Sequence, residues 1–245
     1  GLTRSETPLG FAVIDRSGQV LAAESDELVG LRLNAAGMGL HAQVFEDGGR
    51  VVTSNPYREG AYSEHGGLRG WGSVIWFAAP VRDEQGTPLA SIGFGEAANG
   101  AFSKILTTAQ PGRTGETYAF DQRGRLLSES RFEDQLRQIG LLPADSEVSS
   151  ALAIELRKHG GDSTRGYRPP DPLSTQPLTR MAATAAAHLD GVDLDGYRDY
   201  RGVMVVGAWR WLDDLNLGVA TEMDVAEAYA ALAYPRRTLI GMIAV

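Results

Sequence analysis

Apolar runs separated by short polar turns recur along the chain and predict antiparallel β-strands. Two segments share one pattern, in which an apolar run leads into the turn Asp15-Arg-Ser-Gly18 or Asp121-Gln-Arg-Gly124 and a second apolar run follows. Asp favours the first position of a turn, and Gly allows the positive φ that closes it. Because the matching residues lie at one constant offset, the chain is predicted to contain two copies of a β-hairpin.

A longer hairpin is predicted near the end of each copy, because two extended apolar runs flank a polar turn. The runs and their turns are Ser73–Val81, Arg82–Gly86 and Leu89–Glu96 in the first copy and Val203–Leu212, Asp213–Asp214 and Leu217–Glu222 in the second. The copies extend roughly over residues 11–97 and 116–224.

Helical spacing of apolar residues appears between these hairpins. In the segment 99–109, Phe102, Ile105 and Leu106 share one helix face, so this helix is predicted to link the two copies. Further helices are predicted at Ala35–Phe45, Phe132–Ile139, Val148–His159 and Met223–Tyr234. Each copy is therefore expected to form an antiparallel sheet with helices on one face, which makes the fold class α+β.

The composition restricts the classes of function. The chain has 245 residues, of which 43% are hydrophobic and 22% are charged, as in ordinary globular proteins. A net charge of −8 argues against binding of nucleic acid or anionic membranes through a basic face. The absence of cysteine excludes disulfides, cysteine nucleophiles and cysteine-ligated zinc.

The C-terminal residues leave two interpretations open. After Pro235-Arg-Arg237, the chain ends with the weakly polar or apolar run Thr238–Val245. This run is shorter than the ~20 residues that cross a bilayer, and it fits either the start of a transmembrane helix or a last core element. Arginine pairs usually lie on the cytoplasmic side of a span, and these would lie outside, which argues against the membrane interpretation.

Three segments together resemble one known family. They are Ala78–Glu96, Gly112–Phe132 and Gly196–Asp224. They are similar to segments of the double Cache sensor domain of bacterial transmembrane receptors, which has a membrane-distal and a membrane-proximal module. In order, they resemble the last hairpin of the distal module, the first segment of the proximal module and the last segment of the proximal module. The resemblance covers nearly the whole chain, although the family's long first helix is absent.

The resemblance implies two tandem PAS-like modules. The expected divisions are a membrane-distal module at residues 1–98, a linker helix at 99–111, a membrane-proximal module at 112–224 and a C-terminal helix at 225–245 that leads into a transmembrane segment.

The resemblance also implies a function in signal transduction. The chain is expected to be the extracytoplasmic, non-enzymatic sensing domain of a dimeric inner-membrane receptor, attached to a kinase, as in two-component systems, or to a cyclase. Its expected partner is a small amino acid, amine or carboxylate ligand in the distal module, with no cofactor, metal or nucleic acid. Two alternatives remain: a soluble α+β enzyme with Glu96 as general acid/base, and a structural or adhesion module without a ligand.

Some family members bind amino acids through an Arg-x-Trp-Tyr element, a downstream Tyr and an Asp on the last distal strand. Tyr57 and Glu96 match the last two positions, whereas Arg69-Gly-Trp71 carries the Arg-x-Trp pair at a different place. An acid and aromatic rings around an apolar concavity suit a polar or cationic molecule. The candidate ligand-binding residues are Tyr57, Arg58, Tyr62, Arg69, Trp71, Trp76, Phe94 and Glu96.

These candidates also have structural interpretations. Glu96 fits an exposed strand-end carboxylate, and Trp71 and Trp76 fit packing against the sheet. The Gly-rich segment 57–72 suits either a ligand lid or a plain surface loop.

Other motifs carry weaker predictions. Gly93–Ala98 fits a dinucleotide fingerprint in spacing, but it follows a hairpin strand rather than a parallel βαβ unit. Asp190–Gly196 lacks the ligand pattern of a calcium loop and is predicted to be a solvated turn. The four histidines, His41, His65, His159 and His188, lack metal-binding spacing, and no catalytic set is apparent.

Overall fold

The computed structural model describes residues 10–46, 51–58, 73–97, 101–144 and 148–230. The chain divides into two compact units, Gly1–Lys104 and Ile105–Val245, which are called unit 1 and unit 2. The helix α2 (Ala101–Thr108) crosses the boundary between them. Within the described ranges, no helix combines the length and the apolar character that crossing a membrane requires.

Unit 1 contains one antiparallel sheet and the helix α1 (Ala35–Glu46), which packs on β3, β5 and β6. The strands are β1 (Gly10–Asp15), β2 (Val20–Ala23), β3 (Val52–Thr53), β4 (Tyr57–Arg58), β5 (Ser73–Arg82) and β6 (Pro88–Ala97). Their order is β2-β1-β6-β5-β3, and β4 also pairs with β5. The predicted first hairpin, the long hairpin and the helix near 35–45 are therefore confirmed.

Unit 2 repeats this plan with a four-stranded antiparallel sheet in the order β7-β10-β9-β8. Its strands are β7 (Glu116–Phe120), β8 (Gly191–Arg198), β9 (Met204–Leu212) and β10 (Leu217–Asp224), and its helices are α3 (Glu133–Gln138), α4 (Arg180–Ala186) and α5 (Val225–Ala228). The three adjacent strands β7, β10 and β9 correspond to β1, β6 and β5 of unit 1. Two related antiparallel sheets with flanking helices confirm the predicted α+β class.

One turn occurs four times and explains the repeat. In each turn, an Asp Oδ1 accepts hydrogen bonds from the backbone N–H groups two and four residues later, at 2.7–3.0 Å. The Gly three residues after the Asp has a φ between 75° and 84°, which other residues rarely adopt. The turns are Asp15-Arg-Ser-Gly18, Asp83-Glu-Gln-Gly86, Asp121-Gln-Arg-Gly124 and Asp199-Tyr-Arg-Gly202.

The helix predicted at Val148–His159 is wrong. The segment instead forms a turn followed by isolated backbone bridges. The Leu126 N–H donates to the Ile154 carbonyl at 2.9 Å, the Leu126 carbonyl accepts from the Leu152 N–H at 2.7 Å, and Glu155 pairs with Arg125. The apolar residues of the segment are therefore buried by tertiary contacts rather than on a helix face.

The solvated turn predicted at Asp190–Gly196 is also wrong, because most of this segment belongs to β8. Asp193 is only 5% exposed, and its carboxylate accepts hydrogen bonds from Arg180 of α4 and from the Gly196 N–H. An ion pair with the Arg180 side chain, which is itself 69% exposed, and a backbone hydrogen bond thus replace the expected hydration of this aspartate.

The helix predicted at Met223–Tyr234 begins later than expected. Strand β10 continues to Asp224, and α5 follows at Val225–Ala228. Residues 231–245, which include the predicted transmembrane run, lie outside the described ranges.

Candidate functional site

Two of the predicted ligand residues lie on the sheet face of unit 1 that α1 covers. Ser91 Oγ lies 3.0 Å from Nδ1 of His41 in α1, which identifies this face. Gly95 shares the face with Ser91 because residues four apart on a strand point the same way. Trp76 lies directly opposite Gly95, and β4 pairs with β5 in a register that places Tyr57 on the same face.

Trp76 is surrounded by small residues on this face. Ala78 is two residues along the same strand, and Gly93 lies diagonally opposite, where a Cβ would be 3.1 Å from Cε3 of the indole ring. Ser54 holds the strand at this point, since its Oγ accepts from the Trp76 N–H at 2.8 Å and its own N–H donates to the Trp76 carbonyl at 2.8 Å. The absence of a side chain at Gly93 therefore lets the ring lie across the sheet.

His41 connects α1 to the sheet and has a structural role that the sequence pattern did not indicate. It is 4% exposed, and its Nε2 lies 2.7 Å from the Asp15 carbonyl oxygen. Burial lowers the pKa of His41, which favours a neutral ring. A neutral ring that donates from Nε2 to Asp15 accepts at Nδ1 from the hydroxyl of Ser91.

The other two described candidates, Phe94 and Glu96, lie on the opposite face of the sheet. Phe94 is directly opposite Phe77, and Glu96 is directly opposite Ile75. The phenylalanines are 52% and 39% exposed, and Glu96 is half-buried. The structure thus separates the acid from Trp76 and Tyr57, with which it was expected to form one site.

The remaining candidates are not placed by the structure. Tyr62, Arg69 and Trp71 lie outside the described residues, as does most of the segment 57–72 that was expected to form a lid. Arg58 pairs through its backbone with Ser73, and its side chain is also outside the description.

Unit 2 contains a buried polar cluster that the sequence analysis did not assign. Glu116 on β7 lies directly opposite Glu222 on β10, so both carboxyl groups are on one face of the sheet. They are 2% and 3% exposed. Two acids at such positions are costly unless each is neutralised or fully hydrogen-bonded.

Both glutamates are hydrogen-bonded by hydroxyl groups. Glu116 accepts from the hydroxyls of Ser130 and Tyr200, each at 2.7 Å, and from the Arg131 N–H. Burial raises the pKa of Glu116, and these hydrogen bonds oppose that rise because they favour the ionised form.

Glu222 accepts from the hydroxyls of Tyr118 at 2.7 Å and Tyr197 at 2.6 Å. Burial, together with the nearby charge of Asp199, raises the pKa of Glu222 to about 8. Gly207, opposite Glu222 on β9, makes room for the Tyr197 hydroxyl, because a Cβ there would lie 2.4 Å from it. Glu222 is therefore largely protonated at neutral pH.

A buried arginine connects this cluster to the C-terminal helix. Arg201 is 3% exposed, its Nε donates to Asp199 at 2.7 Å, and its Nη2 donates to Asp224 at 2.9 Å. Its guanidinium lies 3.6 Å from the ring centroid of Phe132. Since Asp224 immediately precedes α5, the start of this helix is held by a buried ion pair.

A second contact holds α5 through Glu227. Its carboxylate accepts from the backbone N–H groups of Arg113 at 2.9 Å and Thr114 at 2.7 Å, and from the Thr114 hydroxyl. The Thr114 hydrogen bond is the main reason why the pKa of Glu227 is lowered to about 2. The helix is thus attached to the turn before β7 as well as to the core.

The interior of unit 2 is occupied by its own side chains. The rings of Tyr118 and Tyr200 pack edge to face at 5.8 Å in a cluster with Phe120, Leu126 and Trp209. The described residues contain no group of three side chains arranged to hold a metal ion. One sequence signal could have indicated this cluster, namely acids and tyrosines that alternate with apolar residues in predicted strands.

Comparison with known proteins identifies the fold. No protein-family model and no curated protein matches the chain. The periplasmic domain of RsbU from Chlamydia trachomatis is similar in structure, with a TM-score of 0.52 and 10% identity over 92% of this chain and 73% of that chain.

Two further solved structures have lower scores. The ligand-binding domain of the amino acid chemoreceptor PctB from Pseudomonas aeruginosa PAO1, in complex with L-Arg, has a TM-score of 0.49 and 14% identity over 95% of this chain and 72% of that chain. An extracellular ligand-binding receptor from Desulfohalobium retbaense has a TM-score of 0.49 and 13% identity over 88% of this chain, which spans only 30% of that receptor. The chain has an α+β fold similar to that of the periplasmic domain of RsbU, which agrees with the fold class that the sequence predicted.

Proposed function

We propose that the chain is the extracytoplasmic sensing domain of a signal-transduction receptor and that it binds a small polar molecule in unit 1. The observation that carries this proposal is the α1-covered face of unit 1, where Tyr57 and Trp76 stand among small residues. The equivalent interior of unit 2 is filled by large side chains, including three tyrosines and two tryptophans. A ligand is therefore proposed for unit 1, while the sheet core of unit 2 acts as a structural support.

The geometry favours a ligand with a polar or cationic group beside an aliphatic or aromatic part. Aromatic rings attract cations and polar N–H groups through their faces. The neutral His41 adds no charge to this region. Amino acids and amines fit this description best, and carboxylates belong to the same test because the side chain of Arg58 is adjacent in sequence to Tyr57.

We further propose that the signal leaves through α5. Its two attachments, from Asp224 to Arg201 and from Glu227 to Thr114, make its position depend on the state of unit 2. A ligand shifts such an equilibrium only by its differential affinity for two states. The proposal includes a receptor that is anchored in a membrane, forms a dimer and carries a kinase or cyclase as its output. It also includes a sensing domain that does not catalyse a reaction itself.

The test is a thermal-shift and calorimetric screen of the chain against amino acids, amines, carboxylates and purines. A ligand at about 100 times its Kd is expected to stabilise the folded state by about 2.7 kcal/mol, which raises the melting temperature by several degrees. Trp76→Phe and Tyr57→Phe are expected to reduce the shift. Glu96→Gln and Phe94→Leu, on the opposite face, are matched controls that should retain it.

Each other outcome has a definite meaning. Loss of the shift in Glu96→Gln but not in Trp76→Phe would move the site to the opposite face of the sheet. No stabilisation by any class would support a structural module instead. Turnover of a screened compound that Glu96→Gln abolishes would support an enzyme.

A further inference from the structure

Unit 2 contains a cleft, and none of the lining residues of this cleft belongs to the sheet. It has a volume of about 380 Å³ and lies between the turn after α3, the segment around His159 and the Pro-rich segment 168–173. Small-molecule sites usually have volumes of about 300–1,000 Å³. The cleft is therefore large enough for a compact organic molecule, and it is distinct from the region proposed in unit 1.

The lining of the cleft includes a buried histidine, His159. His159 is 2% exposed, and its Nδ1 lies 2.8 Å from Oγ of Ser163, which also lines the cleft. Its other ring nitrogen, Nε2, has no hydrogen-bond partner within the described ranges. This atom is not completely buried, so a ligand can reach it. Burial lowers the pKa of His159, so a neutral ring can offer Nε2 to a ligand.

An arginine at the rim supplies positive charge. Arg168 lines the cleft, and its Nη1 donates to the Tyr167 carbonyl at 3.1 Å. Among the described residues, no carboxylate lies within ion-pair distance of Arg168, and the nearby Asp162 pairs with Arg165 instead, at 3.4 Å. The guanidinium is thus available to an anionic group.

Part of the lining is apolar. Ile139 and Leu141 pack on the hydrophobic core and present their remaining surface to the cleft, together with Leu173. A ligand that fits all three parts has an anionic group for Arg168, a polar atom for His159 and a hydrophobic body for these apolar residues.

We propose that this cleft is a second ligand site, which binds a small organic monocarboxylate with an aliphatic or aromatic body. The carboxylate pairs with Arg168 and reaches the His159–Ser163 pair, while the body contacts Ile139, Leu141 and Leu173. This site does not depend on a ligand in unit 1.

Benzoate is a suitable probe, with benzamide as a neutral compound of the same shape. Binding to the whole chain is measured by calorimetry and by the Hε1 resonance of His159 in ¹H–¹³C spectra. Saturable binding of benzoate is expected, with benzamide at least about tenfold weaker because it lacks the charge. Arg168→Gln is expected to weaken benzoate binding by about tenfold or more. Benzoate should shift the His159 resonance of the wild-type chain over the same concentration range in which calorimetry detects binding.

The controls separate this site from general electrostatics and from unit 1. Arg165→Gln, whose side chain is 85% exposed and does not line the cleft, should leave benzoate affinity unchanged within about twofold. Trp76→Phe in unit 1 should also leave it unchanged. The proposal is overturned by equal binding of benzamide, by equal losses in Arg165→Gln and Arg168→Gln, by loss in Trp76→Phe, or by no saturable binding.

Discussion

The two units share three adjacent strands and the Asp-x-x-Gly turns, but they differ in the residues behind the sheet. In unit 1, the buried hydrophobic residues of the described ranges are valines, alanines and one isoleucine. In unit 2, the same position holds a dense cluster of large side chains, including Tyr118, Phe120 and Tyr200. One backbone plan therefore supports a filled core in one copy and a face lined by small residues in the other.

The units also differ in how they bury ionisable groups. Unit 1 buries the neutral His41 between helix and sheet. Unit 2 buries Glu116, Glu222 and the Arg201 ion pairs, which link the core to α5. Because buried ion pairs such as those of Arg201 tolerate little rearrangement, we expect the interior of unit 2 to be more rigid than that of unit 1.

The largest expected effect is the loss of Arg201. Arg201→Met leaves Asp199 buried without its cation, which should lower the free energy of unfolding of unit 2 by about 3–5 kcal/mol. Urea unfolding followed by the fluorescence of Trp209 and Trp211 measures this change. Arg210→Met is the matched control, since its side chain is 73% exposed and its ion pair should contribute less than about 1 kcal/mol. A comparable loss in both variants would contradict the assigned role.

The second prediction concerns pH. The pKa of Glu222 is raised from 4.5 to about 8, so between these values the folded state binds more protons than the unfolded state. The stability of unit 2 should therefore fall as pH rises from about 4.5 to about 8. Glu222→Gln should flatten this dependence, and unit 1 should not show it. The measurement is the urea midpoint of unfolding across this pH range. If the midpoint of Glu222→Gln changed with pH as steeply as that of the wild type, Glu222 would not be the group responsible.

The third prediction compares glycines in the last strand of each sheet. A Cβ at Gly218 of unit 2 would lie 2.4 Å from Cζ of the buried Phe120, whereas a Cβ at Gly93 of unit 1 would lie 3.1 Å from the partly exposed Trp76. Gly218→Ala should therefore destabilise unit 2 by about 1–3 kcal/mol, and Gly93→Ala should have a smaller effect on unit 1. Thermal unfolding of the two variants tests the order. The reverse order would show that unit 1 is the more tightly packed.

The smallest effects are expected at the repeated turn. Asp15→Ala and Asp121→Ala each remove two hydrogen bonds to backbone N–H groups, which should lower stability by about 1 kcal/mol. Each change should affect only the unit that contains it, and hydrogen exchange at the turn amides would show which one opens. If either variant destabilised both units equally, the units would not unfold independently.

Much of the fold could be predicted because its signals are local. The turns at Asp15 and Asp121 depend on a side chain that bonds its own neighbouring backbone and on a glycine with positive φ, and both requirements are visible in four residues. The long hairpins and the helix near residues 35–45 follow from local patterns in the same way. The prediction of a helix at 148–159 was wrong because the apolar spacing of this segment fits a helix, whereas its backbone pairs with Leu126, which is distant in sequence.

The candidate site was less predictable. Trp76 and Glu96 are both apt residues for a ligand, but a strand points successive side chains to opposite faces, and the register between β5 and β6 places them on different sides. The buried glutamates were not predicted because their partners are distant in sequence. Glu116 binds the hydroxyl of Tyr200, and Glu222 binds those of Tyr118 and Tyr197.

Local sequence patterns were enough to predict the α+β class, the repeat and the turns that close it, since each depends on contacts within a few residues. Contacts between distant segments determine which acids are buried, which aromatic residues share a face with α1 and which carboxylates Arg201 binds. Those outcomes depend on strand register and on contacts across tens of residues, where one position of displacement reverses the face on which a side chain lies.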